Sequence, residues 1–277
     1  MSKKVRIGLI GCGAIGSEIA KAIDEGLVPN AELKAALDKN LQALHTLNTH
    51  LKKRYKPVKT LAELLKTNID LVVEAASQQA VKEYSEKILK SRKDLVVLSV
   101  GALLDRELLQ RLLLLCQRYG CKIYVVSGAL GGIDAVKAAS IVGFSELSLT
   151  TRKHPRALAS SPFFAEKGID PSSITEPTTL YEGGAVEAAR LFPANVNVGA
   201  TLTLAASPNR EPTIRVIADP TLDVNIHEVV AKGKFGEISI VLKNKPFPNN
   251  PKTSYIASLS AISTLRSICT LGLKVGT

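Results

Sequence analysis

One of the four histidines sits where an imidazole could carry a proton for a reaction. In Asp223-Val224-Asn225-Ile226-His227-Glu228 an extended chain puts Asp223, Asn225 and His227 on one face, because successive side chains of a strand alternate. A polar face of that composition is unlike a plain core edge. An imidazole titrating near neutral pH is also the best general acid–base among the residues available. A purely structural histidine is the alternative, and spacing leaves both open. His45 and His50 fall on a surface helix, and His154 lies in a loop before Pro155.

The second constellation is Gly11-Cys12-Gly13-Ala14-Ile15-Gly16, a GxGxxG that follows a strand run and opens a helical one. The first glycine permits a tight turn, the second lets backbone approach a pyrophosphate, and the third lets helix and strand pack closely. The helix N-terminus then faces the phosphates. Asp38 closes the next strand, 22 residues beyond Gly16. A carboxylate there accepts the ribose hydroxyls of an adenosine, the arrangement suited to NAD. It repels a 2′-phosphate, an effect that the neighbouring Lys39 offsets, so the reading is NAD with NADP tolerated. An ordinary turn aspartate is the alternative.

Two weaker signals complete the inventory. Ser127-Gly128-Ala129-Leu130-Gly131-Gly132 follows the last strand of the first half, where a doubly wound sheet places its ligands, so backbone near Ala129 can run along the nicotinamide end. A hinge is the compatible second reading. Asn195 and Asn197 either cap the helix that follows or offer an amide to cofactor or substrate. The sequence contains no metal-ligand grouping and no GxSxG.

These residues need a scaffold. Runs at Val5–Ile10, Ala31–Leu37, Ile69–Ala75, Leu95–Val100 and Cys121–Val126 read as strands. Helical patterns separate them at Ala14–Glu25, Leu41–Lys53, Leu61–Lys66, Gln79–Ser91 and Arg106–Tyr119. Thr60 with Glu63 is a capping-box pattern. Apolar strands alternating with helices mean a parallel sheet covered on both faces, a doubly wound Rossmann-type α/β domain. After Gly128 the rhythm changes. A strand at Leu147–Arg152, a Pro-containing stretch to Pro177, a helix-rich segment Glu182–Ala206 and extended runs at Thr213–Ala218, Leu222–Ala231 and Glu237–Lys243 predict a second, smaller α+β domain with an antiparallel sheet. The predicted boundaries are 1–128 and 129–253. The sequence leaves open whether the last helix, in 254–277, rejoins the first domain.

Composition narrows the partners. The chain has 277 residues, 45% of them hydrophobic, and a formal charge of +11, but its Lys and Arg are scattered in twos and threes and aromatics are 4%. That argues against nucleic acid. The N-terminal apolar run is short and glycine-broken, no stretch approaches 18 apolar residues, and Cys12, Cys116, Cys121 and Cys269 lack CxxC spacing. The expectation is a cytoplasmic protein with reduced thiols and no membrane partner.

Taken together, Ile7–Gly16, Ser127–Ala135, Thr150–Pro155, Glu182–Val198 and Ala218–Val229 resemble the L-aspartate dehydrogenase family along essentially the whole chain. The resemblance implies oxidation of L-aspartate to iminoaspartate with NAD or NADP, the first step of a de novo route to NAD, and the reverse reaction from oxaloacetate and ammonia. It implies His227 as the catalytic histidine and nicotinamide-side contacts at Ala129 and Asn195, with Asn197 close enough to be a candidate for the same role. Independently of the resemblance, Asn225 or Asp223 is a candidate neighbour to orient the imidazole. A dicarboxylic substrate needs cations, and Arg152 and Lys153, inside a matching segment, are the expected pair, with solvated strand-end charges the alternative. The antiparallel sheet offers a surface for a homodimer. Another two-domain reductase, resembling homoserine dehydrogenase or dihydrodipicolinate reductase, is the second reading. A non-catalytic NADH-binding redox sensor is the third.

Overall fold

Val5–Ile10 forms β1, the buried centre of a six-stranded sheet. The computed structural model describes residues 4–193, 197–208, 210–247 and 250–276. The chain continues through α1 (Ala14–Asp24), β2 (Ala31–Leu37), α2 (Leu41–His50), β3 (Lys56–Val58), α3 (Leu61–Lys66), β4 (Leu71–Glu74), α4 (Gln78–Lys90), β5 (Asp94–Val97), a 3-10 turn at Val100–Leu104, α5 (Arg106–Tyr119) and β6 (Ile123–Val125). The strand order is β3-β2-β1-β4-β5-β6 and every pairing is parallel. This is the Rossmann arrangement, and its order reverses between β1 and β4, so ligands belong at the carboxyl ends of those strands.

Local chemistry sets the ends of these elements. Asn40 caps α2 by accepting from the N–H groups of Gln42 and Ala43, and Asp105 caps α5 by accepting from Leu108. The Thr60 hydroxyl accepts from Glu63 N–H at 3.2 Å, while the Glu63 carboxylate reaches back to Lys59 N–H at 2.8 Å, one residue before the cap. Strand β3 has no counterpart in the sequence reading. It is three residues long and holds Pro57, which an edge strand tolerates because one side of it needs no ladder donor.

Residues up to Val126 form one compact unit together with Ser258–Val275, and Ser127–Ala257 form a second. The second unit contains α6 (Ile133–Ser140), β7 (Glu146–Lys153), α7 (Pro155–Leu158), α8 (Pro162–Lys167), β8 (Thr178–Gly183), α9 (Ala185–Leu191), α10 (Asn197–Ala206), β9 (Thr213–Ala218), β10 (Asn225–Gly233), β11 (Gly236–Asn244), β12 (Pro246–Phe247) and β13 (Asn250–Ser254). Its main sheet has the order β11-β10-β7-β9-β8. The pairings β10–β11, β10–β7 and β8–β9 are antiparallel as expected, while β7–β9 is parallel, so the sheet is mixed. Helix α11 (Tyr255–Cys269) ends the helical part of the chain. Its Ala261, Leu265 and Cys269 belong to the first unit's core with Ile7, Leu9, Ile19 and Leu71. Burying each such branched side chain contributes about 1.5–3 kcal/mol. Among the described residues no helix is long and apolar enough to cross a membrane.

Candidate active site

At the end of β1 each glycine of the turn meets a different constraint. Gly11 has φ +95°, and a Cβ there would lie 2.6 Å from the Ala75 carbonyl oxygen. At Gly16 a Cβ would lie 1.9 Å from the Gly11 oxygen, so this residue sets how closely α1 approaches β1. Around Gly13 a Cβ would meet nothing within 4 Å, and Gly13 is the N-cap of α1 without any side-chain cap. Two glycines are thus demanded by packing. The one between them leaves open space at a positive helix end, the cradle that a pyrophosphate requires.

Asp38 is anchored beside this turn. Its Oδ2 accepts from Cys12 N–H at 2.6 Å and its Oδ1 from Asn40 N–H at 2.7 Å. Each carboxylate oxygen has a further lone pair for a ribose hydroxyl. Cys12 is buried, and burial with the Asp38 charge pushes its thiol up to about 12, so it packs as an apolar group rather than a nucleophile. The turn, the helix end and Asp38 together fit a dinucleotide.

In the second unit one sheet face changes character along its length. Leu147, Leu149, Val229 and Ala231 bury its apolar end. Further along, Thr151, Lys153, Asn225 and His227 continue the same rows, each at 3% exposure or less. The ladder pairs Thr151 directly with His227, and Thr151 Oγ1 lies 3.0 Å from His227 Nδ1. For Nε2 to accept a proton, Nδ1 must carry the hydrogen and donate to Thr151. Asn225 donates from Nδ2 to Ser254 Oγ at 3.2 Å.

Asp223 is exposed in a bend before β10 begins at Asn225, so it does not share the His227 face, and Thr151 is the imidazole's partner instead. Arg152 does not join Lys153. It pairs with Ile226, and alternation sends the two side chains to opposite faces of β7. Lys153 alone of that pair stands beside His227. Past the end of β7, a cleft of about 290 Å³ is lined by His154, Arg156, Asp223 and Asn225 among others. Arg156 is therefore a cation near the buried row that the sequence reading passed over, as it did Thr151. Strand alternation in Thr150-Thr151-Arg152-Lys153 was the available signal for Thr151.

Ala129 is buried, and its carbonyl accepts from Asn244 Nδ2 at 3.2 Å. Gly132 in the same segment has φ +67°, and a Cβ there would lie 2.1 Å from Ile240 Cδ1, which pins the turn against β11. Asn197 is the first residue of α10, and Asn195 lies outside the described residues.

Burial, with the Lys153 charge adding to it, pushes His227 from 6.5 down to about 3, and burial pushes Lys153 from 10.5 down to about 8. The folded chain then binds fewer protons than the unfolded one between pH 3 and 6.5 at His227, and between pH 8 and 10.5 at Lys153. Stability should rise with pH across both windows, by up to about 1.4 kcal/mol per pH unit from each group. Urea unfolding at pH 4.5 and 7 checks the lower window, where His227→Asn should lose less on acidification than wild type. An equal loss in both would contradict it.

A glycine-lined dinucleotide turn on a parallel sheet, with a polar buried face on a second sheet, defines a nicotinamide-dependent dehydrogenase of the two-domain class. The comparisons specify it further. Residues 134–268 match the family described as aspartate dehydrogenase, C-terminal, and residues 11–126 match the NAD binding domain of homoserine dehydrogenase. L-aspartate dehydrogenase of Methanosarcina barkeri is 47% identical over 95% of this chain and 97% of its own length. That of Methanocaldococcus jannaschii is 38% identical over 99% and 100%. Aspartate dehydrogenase of Thermotoga maritima superposes with a TM-score of 0.72 at 25% identity, covering 98% of this chain and 99% of that one. The chain belongs to the L-aspartate dehydrogenase family.

Proposed function

We propose that the protein oxidises L-aspartate to iminoaspartate with NAD, that it accepts NADP, and that it runs in reverse with oxaloacetate and ammonia, serving a route to NAD. The bound nicotinamide supplies an acceptor for the hydride leaving Cα. The chain's own residues do the rest. Gly11, Gly13 and Gly16 seat the pyrophosphate, with Cys12, Ala14 and Ile15 completing the turn, and Asp38 takes the ribose. Ala129 and Asn195 are the candidate contacts for the nicotinamide. His227, oriented by Thr151, meets the substrate nitrogen. Arg156 in the cleft beside Asn225 holds a substrate carboxylate in the role first expected of Arg152, and Asn197 stays a candidate contact.

The observation that carries this reading is the buried His227–Thr151 pair at the polar end of an otherwise apolar sheet face. Burying such groups is unfavourable unless they serve packing or chemistry. The test is NADH formation with L-aspartate, homoserine and, in reverse, oxaloacetate plus ammonia. Turnover of homoserine and not aspartate would overturn the reading, and no turnover of any would favour the redox sensor.

Coenzyme choice rests on Asp38. Asp38→Ser removes the charge that opposes a 2′-phosphate and one partner of the adenosine ribose. The ratio of kcat/KM for NAD over NADP should fall about tenfold or more, since a charge-assisted hydrogen bond contributes about 1.5–3 kcal/mol. An unchanged ratio would remove Asp38 from coenzyme selection.

A further inference from the structure

Lys153 ends β7 at 3% exposure, in the row that holds Thr151 and beside the row that holds His227 and Asn225. On its other side β9 presents Ala218 in register. Asp219, the residue after β9, donates its backbone N–H to the Lys153 carbonyl at 2.8 Å. The Asp219 carboxylate accepts from Thr221 N–H at 3.0 Å and Thr221 Oγ1 at 2.7 Å. Among the described titratable groups of the neighbouring strands, His227 shares the Lys153 face, while Asp219 is joined to the Lys153 backbone. A lysine so placed is an unusual choice for carboxylate binding alone, since a charged ammonium costs far more to bury than a neutral amine.

We propose that Lys153 is a second catalytic group, which takes the proton that the substrate's ammonium must lose, while His227 remains a neutral hydrogen-bonding partner of the same nitrogen. This rests on the L-aspartate dehydrogenase reading. An α-ammonium has no lone pair with which to form a C=N bond. One of its N–H bonds breaks as an N–H bond forms on Lys153 Nζ, leaving a neutral substrate amine and a lysine ammonium. The amine lone pair then closes C=N as the Cα–H electron pair departs with its hydrogen to the oxidised nicotinamide. One proton resides on lysine, one hydride on the cofactor, and the substrate leaves as an iminium, so charge and electrons balance. In reverse, Lys153 returns the proton.

The two buried groups differ in fitness for this task. With burial holding Lys153 near pH 8, its amine is available at neutral to mildly basic pH. An imidazole held near pH 3 cannot keep a proton taken from an alkylammonium, and general bases work best with a pKa near the working pH. His227 still serves by aligning the nitrogen lone pair with the reacting carbon.

The experiment has two arms. In the first, Lys153→Met should lower kcat about a hundredfold or more with KM for aspartate changed only a few-fold. Added methylamine should raise the activity of Lys153→Ala at least tenfold. A carboxylate anchor would instead raise KM with kcat nearly intact, and Lys153→Arg would restore it; that pattern overturns the proposal. In the second arm, the cofactor-free protein carries [ε-¹³C]lysine, and the resonance missing from Lys153→Met is followed by NMR. It should pass from ammonium to amine between pH 7 and 9.5. A lysine still charged at pH 10 overturns the proposal independently of any substrate. Wild-type protein inactive on aspartate would instead sink the reading beneath it, a distinguishable failure.

Discussion

Replacing His227 by alanine should lower kcat for aspartate oxidation at least about a hundredfold, the lower bound for losing a positioned acid–base or hydrogen-bonding group. The dissociation constant for NAD should stay within about a factor of two or three, because the turn at Gly11–Gly16 and Asp38 belong to the first unit and His227 to the second. The substitution also removes a fully buried ring, so some loss of stability accompanies it. His227→Asn keeps a polar group in the same row and separates the two effects. It should recover stability more than activity. Thr151→Val tests the orientation of the ring: it is nearly isosteric, removes only the 3.0 Å contact to Nδ1, and should cost about tenfold in kcat by releasing the tautomer. Undiminished turnover in His227→Ala would remove the imidazole from the mechanism, whatever the fold.

Some of this site is legible in the sequence, and the reason is locality. The GxGxxG turn states its own steric demands within six residues, and Asp38 is found by following one strand to its end. The alternation Asn225, His227 is likewise a property of one strand. Thr151 is different. It meets His227 only because β7 and β10 pair in a register that joins residues 76 apart, and no local pattern encodes that register. Asp223 shows the opposite failure, since extending the alternation two residues too far assigned it a face in a stretch where the backbone bends. Arg152 and Lys153 read as a pair of adjacent cations, although adjacency in a strand is what separates them. Helix α6 and strand β8 are not legible in the sequence because Ile133–Ser140 and Thr178–Gly183 are short, and tertiary pairing overrides their weak patterns.

The carboxylate of Glu74, one charge inside the apolar run Ile69–Ala75, has no local signature of its role in the sequence. Glu74→Ala should destabilise the protein by about 2–4 kcal/mol, from buried donors left without their acceptor at about 1–3 kcal/mol each where water does not replace it. Glu74 is 1% exposed at the end of β4. Its Oε1 accepts from Ala76 N–H and Ser77 N–H, both at 2.8 Å, and from Ser99 Oγ at 2.9 Å, while Oε2 accepts from Ser99 N–H at 3.0 Å. Burial pushes its pKa up, against the pull of these donors. Alanine would leave three backbone N–H groups without their acceptor, each a loss of about 1–3 kcal/mol when water does not replace it. The consequence reaches the cofactor turn. Glu74 clamps the loop that carries Ala75, and the Ala75 carbonyl is the wall against which Gly11 packs. Protein that survives folding should therefore bind NAD more weakly. Glu74→Gln keeps the volume and one acceptor oxygen but turns an NH2 toward a donor, so it should fall between wild type and alanine. Urea unfolding gives the stability and NADH fluorescence titration the affinity. A loss below about 1 kcal/mol in Glu74→Ala would mean that water fills the carboxylate's place and that the clamp is not what holds the two loops together.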